Sequence, residues 1–147
     1  MSSSPLYVAA VDLGATSGRV ILGTWFKDQL ALREIHRFPN TFHSLDGHDY
    51  WNIGGLWHEV QLGLKAVAAA LPKGARLASI GVDTWGVDYV LLNDAGRLVF
   101  PVHAYRDSRT QPGLKRLGDT RAARDRIYAA TGIGEGAGGI GGVEGVR

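Results

Sequence analysis

The sequence predicts an α/β fold built on a mixed sheet, and three observations carry that prediction. Two stretches, Tyr7 to Thr24 and Leu77 to Phe100, each run from an apolar strand ending in Asp through small residues and glycine into a further strand. Leu30 to Phe38 alternates apolar with polar residues, as a strand does. Between them, Ile53, Leu56, Trp57, Val60, Leu64, Val67 and Leu71 keep a helical period for five turns.

The first stretch, YVAAVDLGATSGRVILGT, delivers one carboxylate, Asp12, to a strand end beside Gly14, Ala15, Thr16, Ser17 and Gly18. Hydroxyls and unencumbered backbone N–H groups there suit a phosphate and its magnesium ion. An ordinary hairpin, with glycines at positive φ and Asp12 capping the turn, fits the same residues, and local composition alone favours it. The loop is neither a Walker A sequence nor GxGxxG.

Asp28-Gln29 is the expected turn into the third strand, which should place Leu30, Leu32 and Ile35 inward. Residues 39–50 are polar and irregular and read as a loop. His36, His43 and His48 lie in or near it, but intervals of seven and five residues match no standard ligand pair, so they are not read as a metal site. Asn52 caps the long helix, Pro72 and Gly74 end it, and Gly54, Gly55 and Gly63 weaken it by about 1 kcal/mol each relative to alanine. Leu77 to Asp83 is expected to be a short buried strand, followed by Thr84-Trp85-Gly86, a strand from Val87 to Leu92, a turn at 93–96 and a last strand from Arg97 to Phe100. Carboxylates at strand ends in such a sheet sit where ligands usually bind. AYRDSR at 104–109 reads equally as a solvated loop with a surface Arg–Asp pair. Short helices are expected over 111–117 and 120–130, the second capped by Asp119-Thr120. From Thr131, eight glycines in seventeen residues without periodicity predict a flexible segment.

A chain of 147 residues fits one domain with a sizeable core, and 45% apolar with 20% charged residues marks a globular protein. The net charge is +2, with seven of the sixteen Lys and Arg residues between Arg106 and Arg126. No aromatic residues interleave with them, so a solvated helix face is expected there and no nucleic-acid partner. The absence of cysteine excludes disulfides and thiolate chemistry and fits a reducing, cytoplasmic setting. MSSSPLYVAAVDLG has no basic region, and its apolar run stops at Asp12, so it reads as neither signal peptide nor membrane span.

The order strand, glycine loop, strand, strand, helix, strand resembles the ribonuclease-H-like core shared by actin, Hsp70 and sugar kinases. DLGATSGR at 12–19 resembles the first phosphate motif of the FGGY carbohydrate kinases. Together with LREIHRF at 32–38, SIGVDTWGVDYVLL at 79–92 and AYRDSRT at 104–110, it is similar to the rhamnulokinase branch of that family over about residues 6 to 133. The resemblance implies transfer of the ATP γ-phosphoryl group to the 1-hydroxyl of L-rhamnulose with Mg2+. It assigns Ala15, Thr16, Ser17, Gly18 and Arg19 to the nucleotide phosphates and Asp12 to magnesium through water. Gly86 would line the sugar site, with Asp83, Thr84 and Trp85 close by and Arg106 and Asp107 as sugar-side neighbours. The family's base is an aspartate in a His-Asp-Thr setting, which no residue here matches. The expectation is therefore a partial first kinase domain over residues 1–131, an incomplete cleft, and a divergent, disordered tail over 132–147 from a truncated or frameshifted product. Another ketose or polyol kinase fragment, or a non-catalytic sugar- or nucleotide-binding module, stands as the alternative. Oligomeric state is left open.

Overall fold

The computed structural model describes residues 4–86, 88–117 and 120–132. The expected tail over 132–147 lies outside the described residues but for Gly132, whose φ of 70° ends the last helix in the left-handed conformation. The chain divides into two compact units, Met1–Thr41 with Asn52–Gly86, and Phe42–Trp51 with Val87–Arg147.

The first unit is a four-stranded mixed sheet covered by one helix. Strands β1 (Leu6–Leu13), β2 (Ser17–Phe26) and β3 (Gln29–Pro39) form an antiparallel meander, and α1 (Ile53–Ala70) carries the chain across to β6 (Leu77–Thr84), which lies parallel to β1. The strand order is β3-β2-β1-β6. Lys27 and Asp28, both at positive φ, make the tight turn between β2 and β3, one residue earlier than the sequence suggested. Asn52 caps α1 as expected, its Oδ1 accepting from the Gly55 N–H at 2.9 Å. The core joins Ala9, Val11, Val20, Leu22 and Phe38 of the sheet to Val60 and Val67 of α1. Gly63, a weak helix residue on propensity alone, is buried in that interface: a Cβ there would lie 2.3 Å from Val20 Cγ2. It is glycine because the helix and β2 approach too closely for anything larger. Trp57, on the apolar period of α1, nevertheless stands exposed.

Two core expectations are corrected. Leu30 and Leu32 are 55% and 67% exposed rather than inward, whereas Ile35 packs on the core as expected. The cause is a bulge: Val20 pairs with His36 and Ile21 with Glu34, so Ile35 is an extra residue and the inward positions change parity along β3. Likewise β6 is not buried. Its Ile80 and Val82 are 53% and 66% exposed, because β6 forms the edge of the sheet and α1 covers only its start, at Leu77.

The second unit corrects the loop reading of 39–50. Strands β4 (Phe42–Leu45) and β5 (His48–Trp51) form a hairpin around Asp46 and Gly47, at φ 52° and 77°. Residues 102–104 run beside β5: the Trp51 N–H donates to Val102 O at 2.8 Å and the Ala104 N–H to Asp49 O at 2.8 Å. Between 88 and 100 the expected strand pair is reduced to a Leu92–Leu98 bridge around a turn at Asn93–Gly96. A single 3₁₀ turn (Ser108–Thr110) and helices α2 (Gln111–Leu117) and α3 (Arg121–Thr131) follow, α3 capped by Thr120. No helix among the described residues is long and apolar enough to cross a membrane.

Candidate phosphate and sugar site

In the first unit the sheet register assembles a charged row. Asp83 of β6 pairs with Asp12 of β1, Asp12 with Arg19 of β2, and Arg19 with Arg37 of β3. Neighbours in register share a face, and this face is opposite the one formed by Val11 and Val20, on which α1 packs. Arg19 forms an ion pair with Asp12 through its Oδ2, and Arg37 pairs with Glu34 at 2.6 Å. The hydrogen bond from Arg37 holds the Glu34 carboxyl below its ordinary range and raises the guanidinium in turn.

At one end of that row the chain turns from β1 to β2 through Gly14–Ser17, closed by the Gly14 N–H donating to Ser17 O at 3.0 Å. Ala15 and Thr16 are exposed, Ser17 and Arg19 half-buried and Gly18 buried. Gly18 is glycine for packing, since a Cβ there would lie 2.2 Å from the Phe38 ring. One residue that the sequence did not single out fixes this turn. Asn40, 2% exposed, donates from its side-chain amide to Gly14 O at 2.7 Å, and its backbone N–H donates to Thr16 O at 3.0 Å. Its Oδ1 is buried and without a partner in the structure. No local pattern announces a contact across 26 residues; an Asn directly after a strand-ending Pro was the only sign.

These groups fit a hydrated Mg2+ and a phosphate in kind. The donors are all oxygen, from the Asp12 carboxylate, 28% exposed as a side chain, and the accessible Thr16 and Ser17 hydroxyls. The register places Asp83 beside Asp12, while Thr84 and Gly86 are exposed and Trp85 is half-buried just beyond β6.

Arg106 and Asp107 belong to the second unit. Arg106 is exposed and lies over the Tyr105 ring, its Nε donating to the Tyr105 hydroxyl at 2.9 Å. Asp107 is not a surface partner: its side chain is 1% exposed. It accepts from the Asp49 N–H at 2.8 Å, the Arg109 N–H at 3.0 Å and His48 Nδ1 at 3.0 Å, with Arg109 Nη1 at 3.4 Å. Burial raises its pKa, but these donors outweigh burial and hold the carboxyl well below the usual range. His103 lies nearby, its ring 4.7 Å from Tyr50 and 5.7 Å from His48, and burial, with Arg109 next, pushes its pKa down.

No protein-family model matches the sequence. It is 45% identical over 130 residues to a rhamnulokinase of Mannheimia succiniciproducens and 48% identical over 124 residues to one of Bacteroides thetaiotaomicron, spanning 87% and 84% of this chain. The chain spans about a quarter of the length of these relatives, 26% and 25%. Among solved structures, a gluconate kinase from Lactobacillus acidophilus superposes with a TM-score of 0.70 at 15% identity, covering 88% of this chain and 25% of that one. A xylulose kinase of the same organism gives 0.65 at 13% identity, covering 84% and 24%. The fold is therefore that of the sugar kinases, an α/β mixed sheet of the ribonuclease-H-like class, and the sequence has rhamnulokinases as homologues.

Proposed function

We propose that this chain, with rhamnulokinases as homologues and a sugar-kinase fold, supplies the phosphate turn and part of the sugar site of an ATP-dependent kinase that phosphorylates L-rhamnulose at its 1-hydroxyl. The observation that carries the reading is the pairing in register of Asp12 and Asp83 at the ends of parallel strands, beside the Gly14–Ser17 turn. Phosphoryl transfer asks a protein mainly for alignment and charge neutralisation. Ala15, Thr16, Ser17, Gly18 and Arg19 bind the phosphates in this reading, and Asp12 holds Mg2+ through water. Bound there, Mg2+ would neutralise charge on the phosphate oxygens. Asp83, Thr84, Trp85 and Gly86 address the sugar, with Arg106 on the sugar side. Asp107 acts on that side by holding His48 and its own loop, since its carboxylate is buried. The setting proposed is cytoplasmic, and residues 1–131 form the kinase portion.

No residue of these 147 matches the family's His-Asp-Thr setting, so none of them is assigned the part of the base in this reading. That same gap favours the second reading, a module that binds sugar or nucleotide without turnover. Amide spectra of the labelled chain titrated with MgADP and with L-rhamnulose test the proposal. Shifts are expected at Gly14–Arg19 with the nucleotide and at Asp83–Gly86 with the sugar; unshifted signals at saturating ligand would overturn it. A coupled ADP assay is expected to show no turnover, and robust turnover would refute the missing base.

A further inference from the structure

The second unit gathers two imidazoles around the buried Asp107 carboxylate, and the kinase reading gives neither imidazole a ligand of its own. His48 opens β5, His103 stands opposite Tyr50 on the strand-like segment beside it, and Asp107 follows after the turn closed by its own N–H donating to Ala104 O at 3.0 Å. One ligand atom from each of the three lies within 4.8 Å of the others. From these positions we infer that His48, His103 and Asp107 form a binding site for a late first-row divalent cation such as Zn2+ or Co2+, separate from the magnesium of the nucleotide.

The chemistry of the donors selects the ion. Two imidazole nitrogens and one carboxylate oxygen suit Zn2+, Co2+ or Ni2+, whereas Mg2+ favours oxygen alone. A tetrahedral centre with bonds of about 2.0–2.1 Å has ligand atoms about 3.3 Å apart. His48 Nδ1 and Asp107 Oδ2, 3.0 Å apart, already stand near that spacing, so an ion there would replace the proton they share. His103 completes the set by turning its ring from Tyr50 toward them. The second coordination sphere is in place: the Asp49 N–H fixes Oδ2 at 2.8 Å, while Arg109 takes the Oδ1 side of the carboxylate. The His48 side chain is 42% exposed, which leaves room for ion entry and for a water as fourth ligand. Arg109, whose Nη1 lies 3.4 Å from Asp107 Oδ1, would oppose the ion's charge.

The full chain, stripped of metal with a chelator, is titrated with Zn2+ by calorimetry and with Co2+ by visible absorption. One equivalent of each should bind, Co2+ giving the intense bands of four-coordinate geometry. His103→Ala and His48→Ala should each weaken binding on the order of 100-fold. His103→Ala leaves the hydrogen bonds of Asp107 intact, so a folding defect of His48→Ala would not confuse the result. His43→Ala, on β4, should leave binding unchanged. Absence of stoichiometric binding, or binding that survives both His48→Ala and His103→Ala, would overturn the inference.

Discussion

Asp12 and Asp83 stand opposite each other on neighbouring parallel strands, two carboxylates in one register position, with Arg19 paired to Asp12 from the other side. Two like charges so placed are each destabilising to the other unless a cation lies near, and Arg19 is the cation that this fold provides. Asp12→Asn should therefore remove the Mg2+-dependent part of the MgADP-induced amide shifts while changing the unfolding free energy by no more than about 1 kcal/mol, as for other solvent-reached ion pairs. Paired titrations with and without Mg2+, together with a urea melt, check both halves.

Asn40→Ala takes the amide donor away from Gly14 O. A half-buried carbonyl left without its partner costs about 1 kcal/mol, and the Gly14–Ser17 turn should then sample several conformations. Denaturant unfolding with an unchanged m-value, and line broadening confined to the turn, are the expected signs.

Gly63→Ala and Gly54→Ala should differ in sign. Alanine improves helix propensity at either site by up to about 1 kcal/mol. At Gly63 the new methyl would overlap Val20, and overpacking of that kind costs about 1–3 kcal/mol. At Gly54 it would meet only Asn52 Oδ1 at 4.0 Å. Thermal melts of the two variants should move in opposite directions.

Asp107→Asn should destabilise the second unit by about 2–3 kcal/mol, because charge-assisted hydrogen bonds from His48 and Arg109 are weakened together. The folded carboxyl titrates below its unfolded value of about 3.9, so the unfolded chain binds the extra proton. The stabilisation is present above about pH 4 and is lost as the pH falls toward the folded pKa. Hydrogen-exchange protection factors at the Trp51 and Ala104 amides, measured with chelator present, should fall below about pH 4 in the parent chain and less so in the variant.

The meander, the long helix and its Asn52 cap were legible because alternation, period and capping are local signals. So was the placement of Asp12 and Asp83 at strand ends. The β4–β5 hairpin was missed although Asp46-Gly47, the usual residues for a tight turn at positive φ, stood in the middle of the supposed loop. Its strands are four residues each and too polar to show alternation. Leu30 and Leu32 were misassigned because a bulge leaves no mark in residue types. The burial of Asp107, for which a surface pair and a sugar-side neighbour were both open, was not legible because its partners, Asp49 and His48, lie 58 and 59 positions earlier. The parts of the site that depend on side chains reaching backbone across the fold, Asn40 above all, are of the same kind.

The extra residue at Ile35 divides β3 into two lengths that serve opposite surfaces of the sheet. Phe38, beyond it, fills the space under Gly18 and brings Asn40 to the phosphate turn, while Leu30 and Leu32, before it, look the other way. The strand thus behaves like a gear with one added tooth. Deleting residue 35 would make Glu34–Ile21 and His36–Val20 consecutive pairs, so each length would keep the surface it serves while the local bend and extra twist that the bulge gives the strand would be lost.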